Sequence, residues 1–302
     1  MKTFIQSILL LIKYEVYKLR YPIPKVFDRK TTSVLLARNP KLSMLRYGDG
    51  ELSMILTQYS IGFQSYDADL AHRLRNILTA PADPNILVCV PDLFQTLRAL
   101  KEQPKQYWLK WIVSNRSSLH KILLADSYGD SLVSRLYLPW VDTSWETEIV
   151  DNLKQTWNHK AVTVVEGIKT RWGVGNDLLS EAKSVRRILC PAENAFLSYA
   201  SILSACKKHM DNTDVFIISL GPTATILAYD LSILGARALD LGHLDLQYDY
   251  LKKKATDRAG IVGKYNNESN ETDVEDCMDN DYLNSIVEKI ENETKDPESF
   301  SN

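Results

Sequence analysis

The chain has 302 residues and 34.4 kDa, long enough for a sizeable core, with 45% hydrophobic and 25% charged residues. These values exclude small stapled scaffolds and collagenous, mucin-like or wholly disordered chains. The formal charge of −2 conceals an asymmetry: residues 265–302 carry twelve acidic and two basic side chains, a net −10, and the remaining 34 basic and 26 acidic residues make the body +8.

At the N-terminus, Phe4 to Ile12 is an apolar run flanked by Lys2, Lys13, Lys18 and Arg20. It has no small-residue cleavage site and falls short of the roughly 20 residues that span a bilayer. The pattern predicts a basic amphipathic helix over 1–25, either packed on the core or lying on the inner membrane face, in a cytoplasmic protein. After Pro22 and Pro24, predicted strands Ser43–Tyr47, Ile86–Val90, Val162–Val165, Arg187–Cys190, Val215–Ser219 and Arg237–Leu241 alternate with predicted helices. The helices are Glu51–Leu56, Asp67–Leu78, Gln106–Leu124, Trp145–Trp157, Asp177–Lys183, Ala195–His209 and Thr223–Leu234. Such alternation predicts an α/β fold, a mostly parallel sheet with helices on both faces. It fills one domain, 26–264. Residues 265–302, Asn/Glu/Asp-rich, read as a disordered acidic tail, with a short helix open over Asp281–Glu293 from the spacing of Tyr282, Ile286 and Ile290. Cys89, Cys190, Cys206 and Cys277 form no C-x-x-C pair, which argues against a disulfide framework or zinc ribbon and fits a reducing compartment.

Ligands of open parallel sheets bind beyond the carboxyl ends of the strands, which draws attention to four polar loops. In Arg46-Tyr47-Gly48-Asp49-Gly50-Glu51 the carboxylates stand two residues apart. In extended backbone they point the same way and suit Mg²⁺ or Mn²⁺; as the capped first turn of a helix they would need no ligand. Glu166 to Asp177 holds three glycines, two cations and an Asn-Asp pair, a seat for phosphate or ribose or a plain surface loop. Gly221-Pro222-Thr223 starts a helix whose N–H groups could hold an anion. His243 lies between Asp240 and Asp245, as a base on the acceptor side or as a structural pair. Trp108, Trp111, Trp140 and Trp145, with the tyrosines around Tyr128 and Tyr137, offer an aromatic platform for a sugar acceptor or simply core. The chain has no Walker loop, no G-x-G-x-x-G at a helix start and no basic-aromatic stripe, which weighs against ATP hydrolysis, dinucleotide redox and nucleic-acid binding.

Taken in order, RYGDGE, EGIKTRWGVGNDLL, PAENAF and SLGPTATILAYDLSILGARALDLGHLDLQY resemble the GT-D type glycosyltransferases, a bacterial family long described as a domain of unknown function. The likeness runs from Leu42 to Tyr250. It implies a Rossmann-like cytoplasmic enzyme with a metal-dependent D-x-E motif and a UDP-sugar donor; UDP-glucose serves in glycosylation of serine-rich streptococcal adhesins, and other members belong to polysaccharide gene clusters. By this resemblance Asp49 and Glu51 hold Mn²⁺ or Mg²⁺ and the diphosphate, with Arg46 and Gly48 completing the motif. Glu166, Arg171, Gly173, Asn176, Asp177, Asn194, Gly221 and Thr223 would line the donor pocket. Our own reading adds His243 and Asp245 on the acceptor side, so that Asp49, Glu51, His243 and Asp245 form the expected catalytic set. Where the family often carries Glu before the last tyrosine, this chain has Gln247, a departure that bears on acceptor choice.

The expected activity is transfer of a hexose, glucose foremost, from a UDP-sugar to a hydroxyl of a glycan or glycoprotein acceptor. Expected partners are that donor and acceptor, no nucleic acid, and contact with the inner membrane face or other glycosyltransferases. Two alternatives stand beside it: a non-catalytic partner subunit of a glycosyltransferase complex, and a Rossmann enzyme using S-adenosylmethionine or a nicotinamide, for which the glycine signature is missing.

Overall fold

Strands apolar on both faces need cover on both sides. The computed structural model, which describes residues 2–258, 260–266 and 274–291, supplies it. Among the described residues one parallel sheet contains β1 (Lys25–Val26), β2 (Ser43–Arg46), β3 (Ile86–Val90), β4 (Ser127–Asp130), β5 (Ala161–Gly167), β6 (Ser184–Cys190), β7 (Val215–Ser219), β8 (Ala238–Asp240) and β9 (Ile286–Lys289). Their order is β1-β4-β3-β2-β8-β7-β5-β6-β9, every neighbouring pair parallel. The helices are α1 (Lys2–Arg20), α2 (Arg29–Arg38), α3 (Asp49–Thr57), α4 (Ala68–Thr79), α5 (Glu102–Ile122), α6 (Glu146–Gln155), α7 (Tyr199–His209), α8 (Pro222–Ile233), α9 (Leu244–Lys253) and α10 (Asn280–Ser285).

Side chains alternate across a strand, and in β7 Phe216 and Ile218 enter one apolar layer while Val215 and Ile217 enter the other. The first layer takes Leu52 of α3, Leu74 of α4, Leu109 of α5, Ile202 of α7 and Leu227 of α8. The second takes Leu36 of α2, Leu153 of α6 and Tyr248 of α9. The expected Rossmann-like α/β architecture is the one formed. Tyr14 of α1 is buried in the first layer, with Leu10 and Tyr17 packed beside it, so the N-terminal helix does dock on the core.

Three sequence expectations change. Asp177–Lys183 is a series of turns rather than a helix. Its carbonyls are taken from outside: Leu178 O accepts from Trp157 Nε1 at 2.7 Å and Glu181 O from the His159 N–H at 2.7 Å. The tail 265–302 is ordered in part: Asn280–Ser285 is helical and Ile286–Lys289 adds a strand parallel to β6. The helix open over Asp281–Glu293 therefore stops early, because Ile286 and Val287 reach the sheet edge; residues 267–273 and 292–302 lie outside the described residues. Finally, α2, α9, β1 and β4 form where no element was expected.

Candidate functional site

The polar loops do converge. At the carboxyl ends of β2, β5, β6, β7 and β8 a cavity of about 270 Å³ is lined by Arg46, Gly48, Asp49, Gly50, Glu51, Thr170, Ser219, Gly221, Gly242, His243 and Asp245, and by Ile61 to Gln64 from the connection between α3 and α4. Two glycines here are required by geometry. Gly221 has φ +53°, and a Cβ would stand 2.2 Å from the Phe63 ring. Gly242 has φ +45°, and a Cβ would stand 2.6 Å from Arg46 Nη2. Both α3, which starts after Gly48, and α8, which starts after Gly221, begin at this cavity. Helix N-termini carry unpaired N–H groups and partial positive charge.

The carboxylate pair does not adopt the extended geometry. Asp49 and Glu51 occupy the first turn of α3 with Gly48 as N-cap, and at 3.6 residues per turn two positions apart diverge by about 200°. Glu51 is 5% exposed, and its Oε2 accepts from the Gly48 N–H at 2.8 Å, the Glu half of a capping box whose N-cap glycine has no side chain to reciprocate. Asp49 Oδ2 instead accepts from the Tyr107 hydroxyl at 2.5 Å. The two acids thus border one cavity with different partners. Glu51→Ala is expected to cost ~1 kcal/mol of stability through loss of the cap; a thermal unfolding curve superimposable on wild type would contradict the capping role.

Among the described residues no group of three or more His, Cys, Asp or Glu side chains is placed to hold a metal ion. A Mg²⁺-like cation accepts one or two carboxylates when phosphate and water oxygens complete its shell. Asp49 and Glu51 would therefore supply at most two of such an ion's ligands, the rest coming from a bound diphosphate and water.

Arg46 is held by Asp240, Nε to Oδ1 3.4 Å, on the strand beside it. Asp240 is wholly buried and its carboxyl is pushed up from 3.8 to about 7, by burial first, with Arg46 opposing and Glu51 adding. A carboxyl raised in the fold lends stability that is complete below its unfolded value and lost as pH rises through the folded one. Relative to Asp240→Asn, wild type should therefore lose stability between about pH 4 and pH 7 and change little above. Parallel urea-denaturation profiles for the two proteins across that range would contradict the assignment.

Several residues expected in the donor pocket are absent from the cavity lining, and their partners explain why. Glu166 is fully buried, paired with Arg187 at 2.6 Å and accepting the Trp172 N–H at 2.6 Å; burial raises its carboxyl despite Arg187. The Arg171 guanidinium donates to the carbonyls of Gly263, at 2.7 Å, and Glu275, tying down the C-terminal segment. Gly173 and Asn176 donate to Asp245 Oδ1 at 2.9 and 2.7 Å. Asp177 lies outside, bonded to Tyr248 and Lys154, which hold its carboxyl down at about 2. Asn194 acts on the cavity indirectly: its Oδ1 accepts from the Ser65 N–H at 2.8 Å and its N–H donates to Phe63 O at 2.9 Å, fixing the Ile61–Gln64 wall. Thr223 is buried in α8, and its hydroxyl has no hydrogen-bond partner among the described residues. Asp245 borders the cavity but is clamped by Lys264 at 2.8 and 2.9 Å, which also binds Asp249 at 2.7 Å.

Sequence reasoning missed Tyr107, Arg135, Lys264 and the Phe63 loop. None carries a motif of its own, and only tertiary packing brings them in. The aromatic platform does not assemble as expected: Trp140 and Tyr128 are core, and of the six aromatics only Trp108 borders a cavity among those described.

Residues 44–269 match the family described as glycosyltransferase GT-D fold. Over 252 residues, 83% of its length, the chain is 34% identical to a probable glycosyl transferase of Streptococcus gordonii and to glycosyltransferase GlyD of Streptococcus pneumoniae. It spans 37% and 31% of those relatives, about a third of their length. A solved structure described as the domain of unknown function 1792 with a distinct glycosyltransferase fold superimposes with a TM-score of 0.86 at 32% identity, covering 92% of this chain and 100% of that one. Another, described as a new glycosyltransferase from Streptococcus sanguinis, does so at 0.84 and 33%, covering 89% and 100%.

Proposed function

The chain belongs to the glycosyltransferase GT-D family, and from that premise we propose that it moves a hexose, glucose foremost, from UDP to a hydroxyl of a glycan or glycoprotein acceptor. The observation that carries this reading is the glycine-lined cavity where α3 and α8 begin, with Asp49 on its wall. In the transfer the acceptor oxygen bonds to the anomeric carbon, the bond from that carbon to the diphosphate breaks, the electron pair leaves with the diphosphate, and the hydroxyl proton is lost to a base or solvent. Negative charge grows on the leaving diphosphate, so groups aimed there lower the barrier. Here those groups are the Arg46 guanidinium and the backbone at Gly221, where α8 begins and the Phe63 ring takes the space a side chain would need. Asp49 and Glu51 would hold Mn²⁺ or Mg²⁺, which supplies further charge neutralisation at the diphosphate. His243 at the rim would orient the acceptor, whereas Asp245 would act through its Lys264 clamp as a strut.

The test is release of UDP from UDP-glucose, UDP-galactose and UDP-N-acetylglucosamine, with Mn²⁺ and with EDTA. Metal-dependent release from one donor is expected. No release from any donor would overturn the reading and favour the non-catalytic subunit.

We also propose that α1 meets an anionic membrane surface. Among the described residues no helix is long and apolar enough to cross a membrane. Yet opposite Tyr14 the helix presents Ile8, Ile12, Val16 and Leu19 to solvent, Leu19 at 87% and Ile12 at 55% exposure. This second apolar stripe is flanked by Lys13, Lys18 and Arg20 against the single acid Glu15, the pattern of an interfacial helix. Sedimentation with phosphatidylglycerol vesicles, lost on Ile12→Glu and weak with phosphatidylcholine alone, is the expected result. Equal partition to both vesicle types, or to neither, would contradict it.

A further inference from the structure

Asp49 and Arg135 border two cavities at once: the glycine-lined one and a second of about 720 Å³ on the far side. That size lies within the roughly 300–1,000 Å³ of small-molecule sites. Its walls differ in kind from those of the first. No glycine lines it. Trp108 and Tyr107 of α5 meet edge to face with ring centroids 5.8 Å apart, and the buried indole braces a phenol ring that is 51% exposed. Leu138 and Pro139 add apolar surface. Gln247 also borders the cavity; it is 2% exposed, and its amide oxygen accepts the N–H groups of Tyr137 and Leu138 at 3.2 and 3.4 Å, which leaves the NH2 group as its free polar end.

An open aromatic face beside an oriented amide suits a pyranose, whose C–H face stacks on a ring while its hydroxyls bond polar groups. The first cavity, lined by several glycines and the Arg46 guanidinium and bordered by the starts of α3 and α8, suits an anion instead. The Tyr107 hydroxyl, donating to Asp49 at 2.5 Å, sets the ring in register with the junction between them. We propose that the second cavity is the acceptor subsite, taking the terminal pyranose of a glycan stacked on Tyr107, with one ring hydroxyl directed past Asp49 into the first cavity. The proposal rests on the reading of the first cavity as the donor site. It also gives Gln247 a place: the residue that departs from the family's acid lies on the acceptor wall and not beside the diphosphate.

The experiment compares wild type, Tyr107→Ala and Gln103→Trp, the latter an exposed rim position on the first turn of α5 where an indole would fill the cavity mouth. UDP-glucose supplies the donor and p-nitrophenyl glucosides, galactosides and N-acetylglucosaminides supply the acceptor. Both substitutions should raise the acceptor KM about tenfold or more, and in Gln103→Trp, which touches nothing at the donor site, the donor KM should move by less than ~twofold. The proposal is overturned if both variants keep wild-type acceptor KM, if donor and acceptor KM rise together in Gln103→Trp, or if wild type glycosylates none of the glycosides. Hydrolysis of UDP-glucose by wild type without acceptor separates the two readings. Hydrolysis without any acceptor effect sinks this proposal alone, whereas no hydrolysis and no UDP binding sinks the donor site with it.

Discussion

Asp49→Ala is expected to lower turnover of the nucleotide sugar by about 10²–10³-fold, the usual consequence of removing one preorganised charge-stabilising contact. The thermal unfolding curve should stay near that of wild type, because a partly exposed side chain at the cavity wall typically costs ~0.5 kcal/mol or less to truncate. The loss belongs in kcat, since the charge Asp49 helps to manage develops as the diphosphate departs. Asp177→Ala is the matching control. It removes a carboxylate from the loop that the family resemblance also placed at the donor, but that carboxylate is bonded to Tyr248 and Lys154 away from the cavity. Turnover within ~twofold of wild type is expected for it. Equal losses in the two variants would mean that the cavity has been misassigned.

Lys264→Met should produce the largest stability change. The ammonium is buried between Asp245 and Asp249 and bonds both, at 2.7 to 2.9 Å. Removing one partner from a buried ionic cluster leaves uncompensated charge and costs ~3–5 kcal/mol. Asp245 also receives the Gly173 N–H and Asn176 Nδ2, so the variant should loosen the loop after β5 and the start of α9 together. Urea denaturation measures the change; a loss below ~1 kcal/mol would show that the cluster is better hydrated than its burial implies.

The readable parts of the chain were those where local pattern and tertiary role agree. Val215–Ser219 is an apolar run bounded by a glycine-proline turn, and it forms β7 over those very residues. Ser127–Asp130 was not legible as a strand, because it carries no β-branched residue; a Cβ at Gly129 would stand 2.6 Å from Cys89 Sγ, so the packing that makes β4 forbids the usual strand signal. In Ile286–Lys289 the acidic surroundings masked the apolar pair that docks on β6. The site divides in the same way. The loops that meet at the cavity were predictable from strand ends, because that convergence follows from topology. The roles of individual charges were not. Glu166 and Arg171 look like ligand groups in sequence, yet Arg187, Gly263 and Glu275 satisfy them from 21 to 104 positions away. Asp49 and Glu51 keep their place but owe it to a helix's first turn and not to an extended segment.

Calorimetric titration of UDP into wild type and Asp49→Ala, with Mn²⁺ and with EDTA, asks whether the glycine-lined cavity holds a nucleoside diphosphate through Asp49 and a divalent cation. Wild type should bind UDP in Mn²⁺, and both EDTA and the substitution should weaken binding by about tenfold or more, the loss of one charge-assisted contact. Identical affinity in all four titrations, or no binding in any, would show that the glycine-lined cavity is not where a nucleoside diphosphate sits.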